Sequence, residues 1–336
     1  MPRALIRRVA LAACATTVVT ATASGTANAS GTFRLLVFPN QSHSAVYGFI
    51  KSAARSIDMT MYELHDNAVV TDLVKRRKAG IKVRVILDRR RTSVNASAYK
   101  ALKAGGVGVT YSSSAFVYTH QKTITVDRAR SLIMTGNLNS KDYAHYRDYA
   151  VFDTDTADVS AIERVFNADY AKTSVTPSDG HHLVWSPTDA QKRLLPLIKG
   201  ARHSLDVEEW EFDDTALVDA IVADAKRGVA VRVVGMNRSN YRGWFRSVVD
   251  AGGKVVTYNG KTGRYIHAKA IVVDYGTATA KVFEGSENFS DNSLNHNREL
   301  GLIVNASGVL RGIETAFRSD FAGGTRFGGA VPLLRD

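Results

Sequence analysis

Two short stretches hold the residues most able to do chemistry: "YTHQKTITVD" (118–127) and "YIHAKAIVVD" (265–274). Each carries His-x-Lys, four residues, then Asp: His120, Lys122 and Asp127 in one, His267, Lys269 and Asp274 in the other. An imidazole can attack an electrophile or move a proton near neutral pH, and an ammonium group can hold an oxygen as negative charge builds on it. Side chains two apart on a strand share a face, so each His is expected beside its Lys. An Asp five residues beyond the Lys turns to the opposite face, which predicts a structural role at the strand end for Asp127 and Asp274. The chain has nine His, and chance would supply only about 0.03 matches to this pattern. A lone His is most often a hydrogen-bonded core or surface imidazole; that reading does not explain a doubled motif.

The elements that position these residues are themselves doubled. "AARSIDMTMYEL" (53–64) pairs with "GARHSLDVEEWEF" (200–212), and "LVKRRKAGIKVRVILDRR" (73–90) with "IVADAKRGVAVRVVGMNR" (221–238). After the two His-Lys stretches, "HYRDYAVFD" (145–153) pairs with "HNRELGLIV" (296–304), and "IERVFNADY" (162–170) with "IETAFRSDF" (313–321). The blocks keep one order, the signature of an internal repeat. Within each half, β-branched runs such as "KVRVIL" and "VRVVGM" follow a helical stretch closed by Gly80 or Gly228 as C-cap. "FRLLVF", "SIDMTMY", "KTITVD" and "DYAVFD" supply further strands. Alternating strands and helices predict an α/β fold, each half a mixed, mostly parallel sheet flanked by helices. "TSVTPSDG" (173–180) reads as the linker, giving halves of 30–176 and 177–336 packed about a pseudo-two-fold axis as one bilobed monomer.

Beyond the motifs come Gly136-Asn137-Leu138-Asn139 and Gly285-Ser286-Glu287-Asn288, then Asp148 in "YRDY" and Glu299 in "NREL". This full set resembles the phospholipase D superfamily over nearly the whole chain after residue 29. The resemblance implies that His120 forms a phosphohistidine and that His267 acts as acid and then base. It further implies that Lys122 and Lys269, with Asn139 and Asn288, hold the phosphate oxygens. Asp148 and Glu299 would back the two imidazoles, fixing tautomer and charge. Ser286 stands where the family has a phosphate-contacting serine, and Asn137 departs from that pattern in the first half, where its amide can also donate. The paired lysines take the part a metal plays in other phosphodiesterases; no cluster at metal-ligand spacing is visible, so neither metal nor cofactor is expected.

Residues 1–29 are expected to be a signal peptide: Arg3, Arg7 and Arg8, a mildly apolar core, and the small-x-small site Ala27-Asn28-Ala29. The lipoprotein and twin-arginine look-alikes around Cys14 and Arg7-Arg8 fit less well. Export would leave a secreted chain without Cys, because Cys14 is the only one. No later apolar run is long enough to span a bilayer. The net charge of +12 falls to +9 without the three leader arginines, a balance that suits phosphate-bearing partners. A membrane-spanning synthase is therefore disfavoured. The expected partner is phospholipid at a membrane surface, whose headgroup would be hydrolysed or transferred; the alternative is nucleic acid cut by a metal-independent endonuclease, and a non-catalytic phosphate binder ranks last. A phospholipase would be helped by exposed apolar loops near the site. The segments expected to frame it are 89–102, 111–118 and 237–249. The last, with Arg238, Tyr241, Trp244 and Phe245, reads equally as a substrate platform or an amphipathic helix.

Overall fold

The computed structural model describes Met1, residues 32–261 and residues 263–328. The rest of the expected signal peptide lies outside the described residues. No described helix is long and apolar enough to cross a membrane.

The first half runs β1 (Phe33–Phe38), α1 (Ser44–Lys51), β2 (Ser56–Met61), β3 (Leu64–His65), α2 (Asn67–Lys78), β4 (Lys82–Leu87), α3 (Thr92–Ala104), β5 (Gly108–Tyr111), β6 (Lys122–Val126), β7 (Arg130–Met134), β8 (Leu138–Asn139), β9 (Tyr146–Asp153) and α4 (Thr156–Ala171). The second runs β10 (Leu183–Ser186), α5 (Ala190–Lys199), β11 (Ser204–Glu209), α6 (Thr215–Lys226), β12 (Ala230–Met236), α7 (Arg242–Asp250), β13 (Lys254–Tyr258), β14 (Tyr265–Ile266), β15 (Lys269–Val273), β16 (Lys281–Gly285), α8 (Asp291–Asn295), β17 (Glu299–Val304), α9 (Ser307–Gly323) and β18 (Thr325–Arg326). Asp66 and Asp214 accept backbone N–H bonds at the starts of α2 and α6, and Gly80 and Gly228 follow their ends at φ 90° and 88°.

The sheets are ordered β1-β9-β7-β6-β2-β4-β5 and β10-β17-β16-β15-β11-β12-β13-β18. They are mixed, but the expectation of mostly parallel pairing needs correction. Only β2-β4-β5 and β11-β12-β13 run parallel within them; the other pairings in these orders are antiparallel. The reason is connection length. Helical crossovers join the parallel strands, whereas β6–β7 and β15–β16 are joined by short turns that reverse the chain.

Asp127 and Asp274 open those turns. Both adopt left-handed backbone, φ 57° and 52°. Asp127 accepts N–H bonds from Ala54, Arg55 (2.6 Å) and Ser56 (2.9 Å); Asp274 accepts them from Arg202, His203 (2.7 Å) and Ser204. Burial alone would raise both carboxyls, but these N–H groups outweigh it and hold them below the usual range. Their contribution to stability is present above the unfolded carboxyl's pKa of about 3.9 and lost as pH falls through the lower folded value. Asp274→Ala is expected to cost about 2–4 kcal/mol in urea unfolding, with Asp274→Asn milder. A cost within about 0.5 kcal/mol of zero, the range of an ordinary surface change, would contradict this anchoring role.

Other repeated blocks are also accounted for by packing. Asp58 faces Arg84 across β2-β4, and Asp206 faces Arg232 across β11-β12, each through paired hydrogen bonds. Between the sheets lies a shared apolar layer, with Ile133, Tyr149 and Val151 of the first half beside Ala270, Val272, Val282 and Leu302 of the second. Either half alone would expose that face, at roughly 1.5–3 kcal/mol for each large aliphatic side chain. The two halves share this layer.

Candidate active site

The chain reaches each histidine by crossing the seam. Tyr265 and Ile266 of β14 pair in parallel with Tyr146 and Arg147 of the first half's β9. The strand then breaks at His267 and Ala268 and resumes as β15 in the second sheet. The first half mirrors this: Thr119 bridges Arg298, and the His120 N–H donates to the Arg298 carbonyl at 2.9 Å, as His267 N–H does to Arg147 at 3.2 Å. Each His is thus a joint between two sheets, not an interior strand residue.

That crossing decides which carboxylate serves which imidazole. Nδ1 of His120 lies 2.6 Å from Oε2 of Glu299, and Nδ1 of His267 lies 2.9 Å from Oδ1 of Asp148. The backing is crossed between halves. Glu299 is held in turn by Ser293 and Asn297, and Asp148 by Thr135. Burial would raise both acids, but their histidines draw them below the usual carboxylate range. Burial pushes His120 down to about 4 against the pull of Glu299, and burial together with Lys269 lowers His267. Both shifts favour the neutral imidazole, and with each Nδ1 on its carboxylate Nε2 is the nitrogen left for chemistry. Lys122 and Lys269 are fully buried beneath them, and each Nζ donates to its own histidine's carbonyl. Burial lowers both ammonium groups, and an arriving anion would favour their charged forms.

The tertiary structure shifts the asparagine assignment. Ser286 Oγ accepts from Leu300 N–H, and Thr135 Oγ1 accepts from Tyr149 N–H; Phe289 bridges Phe212 as Leu138 pairs with Leu64. Thr135 is therefore the counterpart of Ser286, and Asn137 that of Asn288. Asn137 and Asn288 line the cleft, where their amide nitrogens can donate to a phosphate oxygen. Ser286 is wholly buried and braces β17, so it is not brought to the cleft surface. Asn139, on β8 against His65, also does not line it. The repeated hydroxyl-x-Asn spacing, Thr135-x-Asn137 and Ser286-x-Asn288, was the signal available in the sequence.

The cleft, about 410 Å³, is framed by residues the motif did not point to. Tyr62-Glu63 stands on one wall and Trp210-Glu211 at the matching place on the other. Tyr62 meets His120 edge-on with centroids 4.6 Å apart, and Trp210 lies 5.8 Å from His267. Tyr265 stacks on Tyr146 at 4.4 Å and accepts hydrogen bonds from Trp210 and Arg238. Glu63 pairs with Arg91 at 2.7 Å, while burial raises Glu211 and Asp142. Of the three framing segments, 89–102 gives Arg91 and 111–118 gives Tyr118; 237–249 gives no lining residue and reaches the cleft only through Arg238, which stacks on Trp210. The remainder of the last is an amphipathic helix: Phe245 and Val248 are buried, with Trp244 packed against the same core.

A group able to hold a metal does occur among the described residues, Asp155, Asp158 and His182, with ligand atoms within 4.8 Å of one another. Sequence spacing hides it because His182 arrives from beyond the linker. It stands at the start of α4, outside the cleft lining, where Asp155 caps the helix and Asp158 accepts from His181 and His182.

Two sheet-bearing repeats, paired His-Lys motifs at their seam and crossed carboxylates define the class: the chain belongs to the phospholipase D superfamily. The family described as cardiolipin synthase, PLD-like domain, matches residues 46–170 and 194–321. No curated protein matches the chain. Among solved structures it is similar to phosphatidylserine synthase of Haemophilus influenzae Rd KW20, at 12% identity and TM-score 0.67, over 87% of this chain and 86% of that one. It is also similar to polyphosphate kinase of Porphyromonas gingivalis, at 16% identity and TM-score 0.66, over 86% of this chain; it spans half, 50%, of the kinase's length. Nuc of Salmonella typhimurium, a phospholipase D family member, matches over 44% of this chain and 98% of its own at 20% identity and TM-score 0.40. At these identities the likeness is one of fold.

Proposed function

We propose that the chain is a phosphodiesterase working through a phosphohistidine, and specifically a phospholipase D acting on phospholipids with cationic alcohol headgroups. The observation that carries the chemistry is the pair of buried His–carboxylate couples at one seam, above two buried lysines. His120 Nε2 attacks phosphorus, the bond from phosphorus to the headgroup oxygen breaks, and His267 gives that oxygen its proton. His267 then takes a proton from water, whose oxygen attacks phosphorus and breaks the P–N bond. An alcohol in place of water gives headgroup exchange. The lysines and the amides of Asn137 and Asn288 hold the non-bridging oxygens.

The headgroup reading rests on the cleft mouth. Tyr62, Trp210, Tyr118 and Tyr146 line it, with Glu211 and Asp142 among them and Glu63 paired to Arg91. Rings with carboxylates suit an ammonium group and repel a polyanion. One observation favours the endonuclease alternative: among the described residues Met1 is the only large hydrophobic side chain that is exposed, so the apolar loops expected of an interfacial enzyme do not occur there. The export reading of residues 1–29 stays part of the proposal, supported by their basic start, apolar core and small-x-small site.

The test is turnover of phosphatidylcholine vesicles beside plasmid and single-stranded DNA, all in excess chelator. Choline release without DNA cleavage is expected, and DNA cleavage alone would overturn the lipid reading. Loss of all turnover on chelation would overturn the metal-free mechanism. Glu211→Gln is expected to raise KM for phosphatidylcholine about tenfold while sparing phosphatidylglycerol; equal effects on both would remove the cationic-headgroup argument.

A further inference from the structure

A cavity larger than the catalytic cleft stands apart from its lining, though close to seam residues. It is about 650 Å³ in volume and lies where the 112–116 segment and the start of the linker meet Arg298 of the second half. That size lies within the range of ligand pockets, and its lining is chemically pointed. Three cations face it, Arg89, Lys172 and Arg298, against a single carboxylate, Asp169. The other lining residues are mainly hydroxyl-bearing, such as Ser113 and Ser114.

Arg298 is the fixed element. It is buried at 3% exposure, its plane lies 4.2 Å from the Phe116 ring, and its Nε and Nη2 engage Asp169 at 3.0 and 3.2 Å. Its counterpart across the pseudo-two-fold axis, Arg147, grips Asp320 in the same way, but there Nη1 is also consumed, by the Phe38 carbonyl and Asn40. Arg298 Nη1 has no such acceptor among the described residues, and Arg298 lines the cavity. Arg89 and Lys172 stand exposed at the rim, with no side-chain acceptor or ion pair among the described residues. A half-used guanidinium on a rigid floor, two free cations and several hydroxyl donors form a receptor for a tetrahedral anion.

We propose that this cavity is a second anion site, distinct from the catalytic cleft, that takes a phosphate group, as inorganic phosphate or as a phosphomonoester. The Arg298 carbonyl accepts the N–H of His120 and of Gln121, and Glu299, which backs His120, follows directly in sequence. An anion held by Arg298 therefore sits one residue from the nucleophile's support.

The experiment is calorimetric titration of the full chain with inorganic phosphate, and separately with glycerol 3-phosphate, which tells a free anion from the headgroup of a monoester lipid. Two sites are expected on the native chain. Arg89→Gln/Lys172→Gln, both at exposed positions, should weaken one of them about tenfold or more and leave the other. Lys122→Met/Lys269→Met should do the converse. A single site that survives Arg89→Gln/Lys172→Gln and vanishes with Lys122→Met/Lys269→Met overturns the proposal, as does an absence of binding at millimolar ligand. Tighter binding of glycerol 3-phosphate than of phosphate through Arg89 and Lys172 assigns the site to phosphomonoesters, and the reverse to the free anion.

Discussion

His120→Ala is expected to lower turnover by roughly 10⁴-fold or more, and His267→Ala by a comparable factor, because each removes a group that makes or breaks a bond to phosphorus. The two losses should differ in kind. Without His120 no phosphoryl group is transferred to the chain. Without His267 an ester whose leaving group needs no proton should still load His120, and the adduct should persist because no base activates water. Acid-labile phosphorylation of His120 in His267→Ala, read by mass spectrometry under alkaline conditions, checks this. A persistent adduct on His267 in His120→Ala, with none on His120 in His267→Ala, would exchange the two roles, and full turnover in both variants would end the paired-histidine mechanism.

The pH profile follows from the same pair. His120 must be unprotonated to attack, so the rate rises as pH climbs through its value of about 4. His267 must be protonated to serve as acid, and its value is lowered by burial and by Lys269 from an ordinary 6.5 or so. The rate then falls as pH passes a point below that value. The free-enzyme kcat/KM should therefore be bell-shaped with its maximum on the acid side of neutrality. A maximum above pH 7 would contradict the burial argument.

Glu299→Gln is expected to cost about 10²–10⁴ in kcat, since an amide cannot stabilise the imidazolium or hold the same tautomer. Asp148→Asn should do the same through the other histidine. The crossed arrangement gives a readout that general disruption would not move. By histidine NMR titration, Glu299→Gln should lower the pKa of His120 and leave that of His267 nearly unchanged, and Asp148→Asn should do the reverse. If each carboxylate instead shifts the histidine of its own half, the crossing of strands at the seam does not have the consequence described.

Much of this was legible because a duplicated chain annotates itself. The His-x-Lys spacing, the Gly80 and Gly228 helix ends and the strands of both halves follow from local pattern, and local pattern is what a sequence records. The parallel-sheet expectation failed because strand–helix–strand order constrains only the crossover strands; whether the next strand returns by a short turn depends on Asp127 and Asp274 taking left-handed backbone. Of the three asparagines expected at the phosphate, Asn137 and Asn288 line the cleft and Asn139 does not, for a related reason. Matching Gly136 to Gly285 put similar letters together, whereas the hydrogen bonds to Tyr149 and Leu300 put Thr135 opposite Ser286.

By itself, then, the sequence determined the chemical inventory: two imidazoles, two lysines, two acids and the repeat that requires them to face one another. Only the tertiary structure decided the pairing of His120 with Glu299 and His267 with Asp148, the aromatic and acidic mouth, and the open cavity at Arg298. These depend on which strand lies beside which across a seam between residues as far apart as 119 and 298. That choice is made by packing two sheets over a shared apolar layer, a long-range balance that no local stretch of sequence encodes.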